Sequence, residues 1–260
     1  MRRLNYFNER YNITNAKKFD STVCFEKNIL DKCFNFAYEM AFGRIGEHRA
    51  YRSGGSKNRA NGEIFIDSFQ GKLAEYALWL ELERLGINSC EPDINTYGLG
   101  EWDDVDLDVN GKKISIKSTK YYGQLLLLEC KDWNSDGIYI PNISKGSGKY
   151  DFVTLIRIAP SGEDILKRQR LLYVRNNINK EMLKSIILGR DNLWSYDIPG
   201  FITHNDLINI IRNRYIIPRG GLLGKTFTPM DADNYYVQAG DMRKVSELFD
   251  LLINNEMMIF

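Results

Sequence analysis

The chain has 260 residues, 43% hydrophobic, 27% charged and 12% aromatic, and its longest aliphatic run is only Leu125 to Leu128, which excludes a membrane span of about 20 apolar residues. Four scattered cysteines (Cys24, Cys33, Cys90, Cys130) form no CxxC pair and the only histidines are His48 and His204, so a zinc cluster or a disulfide framework is not expected. The net charge of +1 hides an asymmetry, +6 over residues 1–60, −8 over 61–136 and +3 over the remainder. A chain that binds a polyanion while holding a divalent cation among carboxylates has this distribution, as does an unevenly charged solvated surface.

The opening MRRLNYFNER has no apolar stretch behind its arginines, which gives a cytoplasmic expectation. Residues 20–42 place Phe25, Ile29, Cys33, Phe36 and Met40 at three- and four-residue spacing, the pattern of an amphipathic helix. Next comes a loop in which Gly43, Gly46, Gly54, Gly55 and Gly62 punctuate Arg44, Arg49, Arg52, Lys57 and Arg59. Over residues 68–86 (SFQGKLAEYALWLELERLG), Phe69, Leu73, Ala77 and Leu80 recur with helical period and Gly86 marks the stop.

From Glu101 the period changes to two. Asn110-Gly111 between alternating runs is a strong hairpin signal, and a two-residue turn pairs 109 with 112, 107 with 114, 106 with 115, 105 with 116 and 104 with 117. Val105, Leu107, Val109, Ile114 and Ile116 then share a core face, opposite Asp104, Asp106, Asp108, Lys113, Ser115 and Lys117. QLLLLE and Tyr150 to Ile158 read as buried strands, although a short helix also accommodates four leucines. Beyond Pro160 the pattern predicts a strand at Arg170–Arg175, helices near Asn179–Leu188 and Asn205–Arg214, a glycine-rich basic loop at Pro218–Lys225 and a last helix near Asp241–Ile253. No repeat or long linker divides the chain, so one domain is expected: a core over 68–158 with elaborations over 1–67 and 159–260.

The hairpin carries the chemistry. Carboxylates and a lysine on one face of adjacent strands suit Mg²⁺, which takes one or two protein carboxylates and keeps several waters. A lysine there positions a water aimed at a phosphodiester. Cross-strand Asp/Lys pairs on a solvent-facing hairpin give the same pattern without any catalysis. Glu75 sits among alanine and leucine on what reads as the packed side of its helix, where a carboxylate either pairs with a base or points into a site.

A helix with GxxxE, an Asp on one strand, and a strand ending ISIKSTK resembles the core of the PD-(D/E)XK nuclease superfamily, most closely its type II restriction endonuclease branch. The resemblance runs from Phe69 to Ile158. It implies an α/β fold with a central mixed sheet flanked by helices, and Mg²⁺-dependent hydrolysis of double-stranded DNA. Asp104 or Asp106 would be the metal-binding aspartate, Lys117 the lysine, and Glu75 the helix glutamate. The chain departs from the pattern at Ser115, where the family has Asp or Glu. Glu129, twelve residues past Lys117, or Glu75 is the candidate replacement, so the expected metal set is Asp104, Asp106 and Glu129. Pro92-Asp93 sits in a turn-like stretch and reads as structural.

DNA contacts are expected first from the basic loop, at Arg44, Arg49, Arg52, Lys57, Asn58 and Arg59, with Lys120 and Arg219 beside them; Pro218–Lys225 is the second candidate segment. That segment lacks GxxxxGK[ST] spacing, so no nucleotide cofactor is expected. His48 and His204 carry no catalytic claim. A palindrome-cutting enzyme is expected to be a homodimer. A structure-selective repair or recombination nuclease, and a catalytically silent nucleic-acid-binding protein, are the alternative readings.

Overall fold

The computed structural model describes residues 1–21, 23–43, 59–95 and 106–253. Its elements in chain order are β1 (Asn5–Phe7), β2 (Arg10–Asn12), β3 (Val23–Cys24), α1 (Lys27–Phe42), α2 (Asn61–Arg84), β4 (Leu107–Val109), β5 (Lys112–Lys120), β6 (Leu125–Glu129), β7 (Phe152–Ala159), α3 (Gly162–Arg168), α4 (Lys180–Ile187), β8 (Ser195–Thr203), α5 (His204–Arg212), β9 (Ile216–Ile217), β10 (Leu222–Leu223), β11 (Asn234–Gln238) and α6 (Val245–Ile253). The fold is mixed α/β, as the resemblance implies. A five-stranded sheet runs β3-β8-β7-β5-β4, with β5 and β7 parallel and the other neighbours antiparallel. None of the helices among the described residues is long and apolar enough to cross a membrane.

Strand alternation assigns the two faces of this sheet. Ile114, Ile116, Phe152 and Ile156 pack under α1 and α2 with Phe34, Phe65, Phe69 and Leu73. Val153, Leu155 and Ile202 face the other way, against Leu126, Leu128 and Val237 and against Leu207 and Ile210 of α5. That second layer is an antiparallel sheet of order β6-β11-β9. Each fully buried leucine in it contributes about 1.5–3 kcal/mol, so QLLLLE is a strand because two of its leucines roof the main sheet.

Several boundaries differ from the sequence expectation. Residues 20, 21 and 23–26 are not helical; β3 pairs with β8, and the N–H of Phe25 donates to the Trp194 carbonyl (2.9 Å). Conversely, α2 begins at Asn61, seven residues ahead of the expected start, with Glu63 accepting the Ala60 N–H (2.9 Å). Gly62 is inside this first turn, where a Cβ would lie 2.1 Å from the Leu171 carbonyl oxygen. Residues 170–175, expected as a strand, instead form the turns that cross here after α3. The N- and C-terminal elaborations hold strands as well as helices.

The largest omission from the sequence reading is β8, whose Pro199 and Gly200 look like breakers. A bulge absorbs them: Leu155 pairs with Gly200 and Arg157 with Asp197, so Ile198 and Pro199 oppose the single residue Ile156. A Cβ on Gly200 would fall 2.2 Å from the Arg243 carbonyl oxygen, which explains the glycine.

A third small sheet, β1-β2-β10, joins the two ends of the chain. Buried Gln238 holds it down: its Oε1 accepts from the N–H groups of Thr14 (2.7 Å) and Asn15 (3.1 Å), and its Nε2 donates to the Arg2 carbonyl (3.1 Å). Arg157 ties the next segment. Fully buried, it donates from Nε to Asp197 Oδ1 (2.8 Å), from Nη1 to the Lys17 carbonyl (2.7 Å) and from Nη2 to the Lys18 carbonyl (2.8 Å). Asp197→Ala strands this charge, and should lower unfolding free energy by about 3–5 kcal/mol. Urea denaturation checks this, with Asp197→Asn losing clearly less because it keeps an acceptor.

Candidate active site

The hairpin forms in the expected register, with Leu107 opposite Ile114 and Val109 opposite Lys112. Asn110 and Gly111 have φ of 52° and 74°, the two left-handed residues that a type I′ turn demands. Asp108 accepts the Gly111 N–H (3.0 Å) and so serves the turn. Asp106, just ahead of β4, serves the strand: its Oδ2 accepts the Ile116 N–H (2.6 Å) and the Ser115 hydroxyl (3.2 Å). A side chain thus continues the ladder where backbone pairing ends.

Ser115 and Lys117 lie on the sheet face opposite α2, two residues apart on β5. Ser115 is buried and Lys117 half-buried. Lys117 has no ion pair or hydrogen bond with any described residue, and Asp106 Oδ1 accepts none either. The result, among the described residues, is one carboxylate oxygen and one ammonium without a mate, on a common face. Asp104 lies outside the described residues.

The two candidate replacements for the missing acid are not brought to this face. Glu129 ends β6 opposite Asn234, in the other sheet. Because Leu126 and Leu128 point at the main sheet, alternation turns Glu129 away from it. Glu75 Oε2 pairs with Lys72 Nζ at 2.6 Å, and that ammonium sits 4.8 Å from the Phe36 ring centroid on α1. The helix glutamate therefore faces its neighbouring helix, on the far side of the sheet from Lys117. Among the described residues no group of three or more His, Cys, Asp or Glu is placed to hold a metal. Mg²⁺ needs only one or two carboxylates, and the described part of this face offers Asp106 Oδ1.

Of the expected DNA contacts, Arg44, Arg49, Arg52, Lys57 and Asn58 lie outside the described residues, as does His48. Arg59 Nη1 pairs with Asp67 Oδ2 of α2 (3.2 Å). Lys120 is on the helix-side face, paired with Glu163 at 2.6 Å, so its charge is committed within the protein. Arg219 is exposed, with its backbone N–H on Asp233 Oδ1 (2.7 Å). Asp93 Oδ1 accepts the Asn95 N–H (2.8 Å), the turn role expected of it, and His204 opens α5 after the Thr203 cap. The sequence reading did not nominate Arg10, which β10 brings beside Gly224 and Thr226. Its signal was Asn8-Glu9 between Tyr6-Phe7 and Arg10-Tyr11, a short-hairpin pattern. Comparison with protein-family models, with curated proteins and with solved structures finds no match to this chain.

Two outcomes follow from this geometry. Asp106→Ala should cost about 1–3 kcal/mol, because the Ile116 N–H loses its acceptor, while Asp106→Asn keeps an amide oxygen there and stays near wild type in chemical denaturation; both should lose any stabilisation by added Mg²⁺. The second concerns Glu163. Burial opposes its charge, but Lys120 and Lys167 outweigh that and hold its carboxyl below the usual 4.5. A depressed folded value adds stability above pH 4.5 that disappears as pH falls through the folded value, so Glu163→Gln should flatten the acid limb of the stability–pH curve.

Proposed function

We propose that this chain is a Mg²⁺-dependent endonuclease of the PD-(D/E)XK kind that cleaves double-stranded DNA at a specific sequence, in the manner of type II restriction enzymes, and works as a homodimer on a palindromic site. The observation that carries the reading is the Asp106, Ser115 and Lys117 face, where a half-buried lysine has no counter-charge among the described residues. At this border of the buried layer, a phosphate or a water is the natural mate for the Lys117 ammonium.

Asp106, through Oδ1, and Asp104 would hold the cation. When bound, Mg²⁺ supplies charge stabilisation to the phosphoryl oxygens. Lys117 donates hydrogen bonds that orient the attacking water and offset charge on a non-bridging oxygen. The water oxygen forms a new bond to phosphorus as the bond to the leaving deoxyribose oxygen breaks; the water releases a proton and the leaving oxygen gains one. Ser115 holds Asp106 Oδ2 in place, so that only Oδ1 is offered.

One observation favours a second reading, a catalytically silent DNA-binding protein: of the two hairpin carboxylates on the described part of the face, Asp106 is half committed to the Ile116 N–H and Asp108 serves the turn. A cleavage assay on mixed-sequence plasmid or phage DNA with Mg²⁺ separates the two. Discrete fragments that vanish in Lys117→Ala and Asp104→Ala support the nuclease. Binding without cleavage in any divalent metal, retained by Asp104→Ala, supports the silent binder. Intact DNA with no binding overturns both.

A further inference from the structure

The small sheet at the chain ends has an exposed face of unusual composition. In the β1–β2 hairpin Phe7 pairs with Arg10 across the strands, so both side chains share one face. Arg10 Nη1 donates to the carbonyls of Gly224 (2.9 Å) and Thr226 (2.7 Å), which holds the guanidinium 5.6 Å from the Phe227 ring centroid. Phe7 is 64% exposed and Phe227 87% exposed. Two open phenyl rings flanking a fixed arginine therefore stand in solvent, with Tyr6, 61% exposed, beside them on the other face of the strand.

Charge indicates what covers this face. From Arg212 to Met230 the chain has four basic residues (Arg212, Arg214, Arg219, Lys225) and no acidic one, and residues 1–12 add Arg2, Arg3 and Arg10 against Glu9 alone. Arg219 and Lys225 are exposed. Asp231 and Asp233 follow this stretch, and Asp233 spends Oδ1 on the Arg219 backbone N–H. Cations flanking open aromatic rings match an anion that also presents flat π-faces. An apolar protein surface would leave these charges unmatched.

We propose that the face built from Phe7, Arg10 and Phe227, flanked by Arg219 and Lys225, binds a DNA strand with exposed bases, stacking bases on the phenyl rings and contacting phosphates with the basic residues. The proposal rests on DNA being the ligand of this chain but not on its cleavage, and it assigns the contact to a surface outside the hairpin. A single strand or an unstacked base step gives the rings something to stack on, whereas an intact duplex offers them little.

The test is fluorescence anisotropy with a labelled 20-nucleotide oligothymidylate in EDTA, at several salt concentrations, on wild type, Phe7→Ser, Phe227→Ser and Lys225→Gln. The expected result is binding by wild type, about 5- to 100-fold weaker binding on loss of each ring, and a shallower salt dependence in Lys225→Gln, with unchanged circular dichroism and Tm. No binding by wild type overturns the proposal. So does wild-type affinity in both phenylalanine variants, and so does loss of a wild-type dimer in sedimentation without loss of DNA binding, which would assign the face to self-association. Cleavage is scored separately: variants that cut plasmid normally and bind normally sink only this surface, whereas lost binding in a protein that cuts nothing leaves the surface standing and removes the nuclease.

Discussion

The guanidinium of Arg157 is the point on which the sheet depends. A charge buried this deeply costs several kcal/mol unless its hydrogen-bonding capacity is met, and meeting it draws in two separate stretches of chain. Asp197 must lie directly across on β8, which requires the bulge at Ile198 and Pro199 immediately after it. The carbonyls of Lys17 and Lys18 must reach the same point, with the Phe19 ring 5.5 Å away. Since Thr119 of β5 pairs with Arg157, this knot closes the polar face of β5 one position beyond Lys117. The candidate site is thus bounded at one end by a fixed charge pair and at the other by the Asp106 clasp.

That arrangement explains how a polar face persists in a molecule whose central strand is buried on both sides. Helices α1 and α2 take the Ile114 and Ile116 side of β5, and the β6 layer takes the Val153 and Leu155 side of β7. Lys117 lies next to Leu155 in the ladder yet stays half-buried, at the border of that layer. Partial desolvation is the environment in which a lone ammonium binds an anion most effectively, and the Ser115 hydroxyl keeps the neighbouring carboxylate oriented without adding a second negative charge.

How far this could be read from the sequence depended on whether the relevant physics was local. Register across Asn110-Gly111 was legible because turn chemistry and period-two alternation act within a dozen residues, and the structure reproduces the pairing. Glu75 was recognised as out of place among apolar neighbours, but helical periodicity alone does not say which packed side meets the sheet and which meets α1. Glu129 was within reach by spacing, yet β6 leaves for another sheet after the Tyr121 to Gly123 turn, a decision made by partners more than a hundred residues away in β11. β8 was invisible because Pro199 and Gly200 are breakers in isolation and tolerable only opposite Ile156. The three-residue strands β1 and β2 were too short to show a period at all.

The clamp by Gln238 has a temporal consequence. The carbonyls that hold Arg10 are 214 and 216 residues downstream, and Gln238 is later still, so the amino-terminal hairpin lacks its partners while most of the chain is being made. At about 5–20 residues per second, Tyr6 and Phe7 spend roughly 10–40 s on the ribosome in a segment with nothing to dock on. Closure of the small sheet therefore waits until Gln238 has been made, and the nascent chain passes through a window of vulnerability to misassembly that the folded protein does not share.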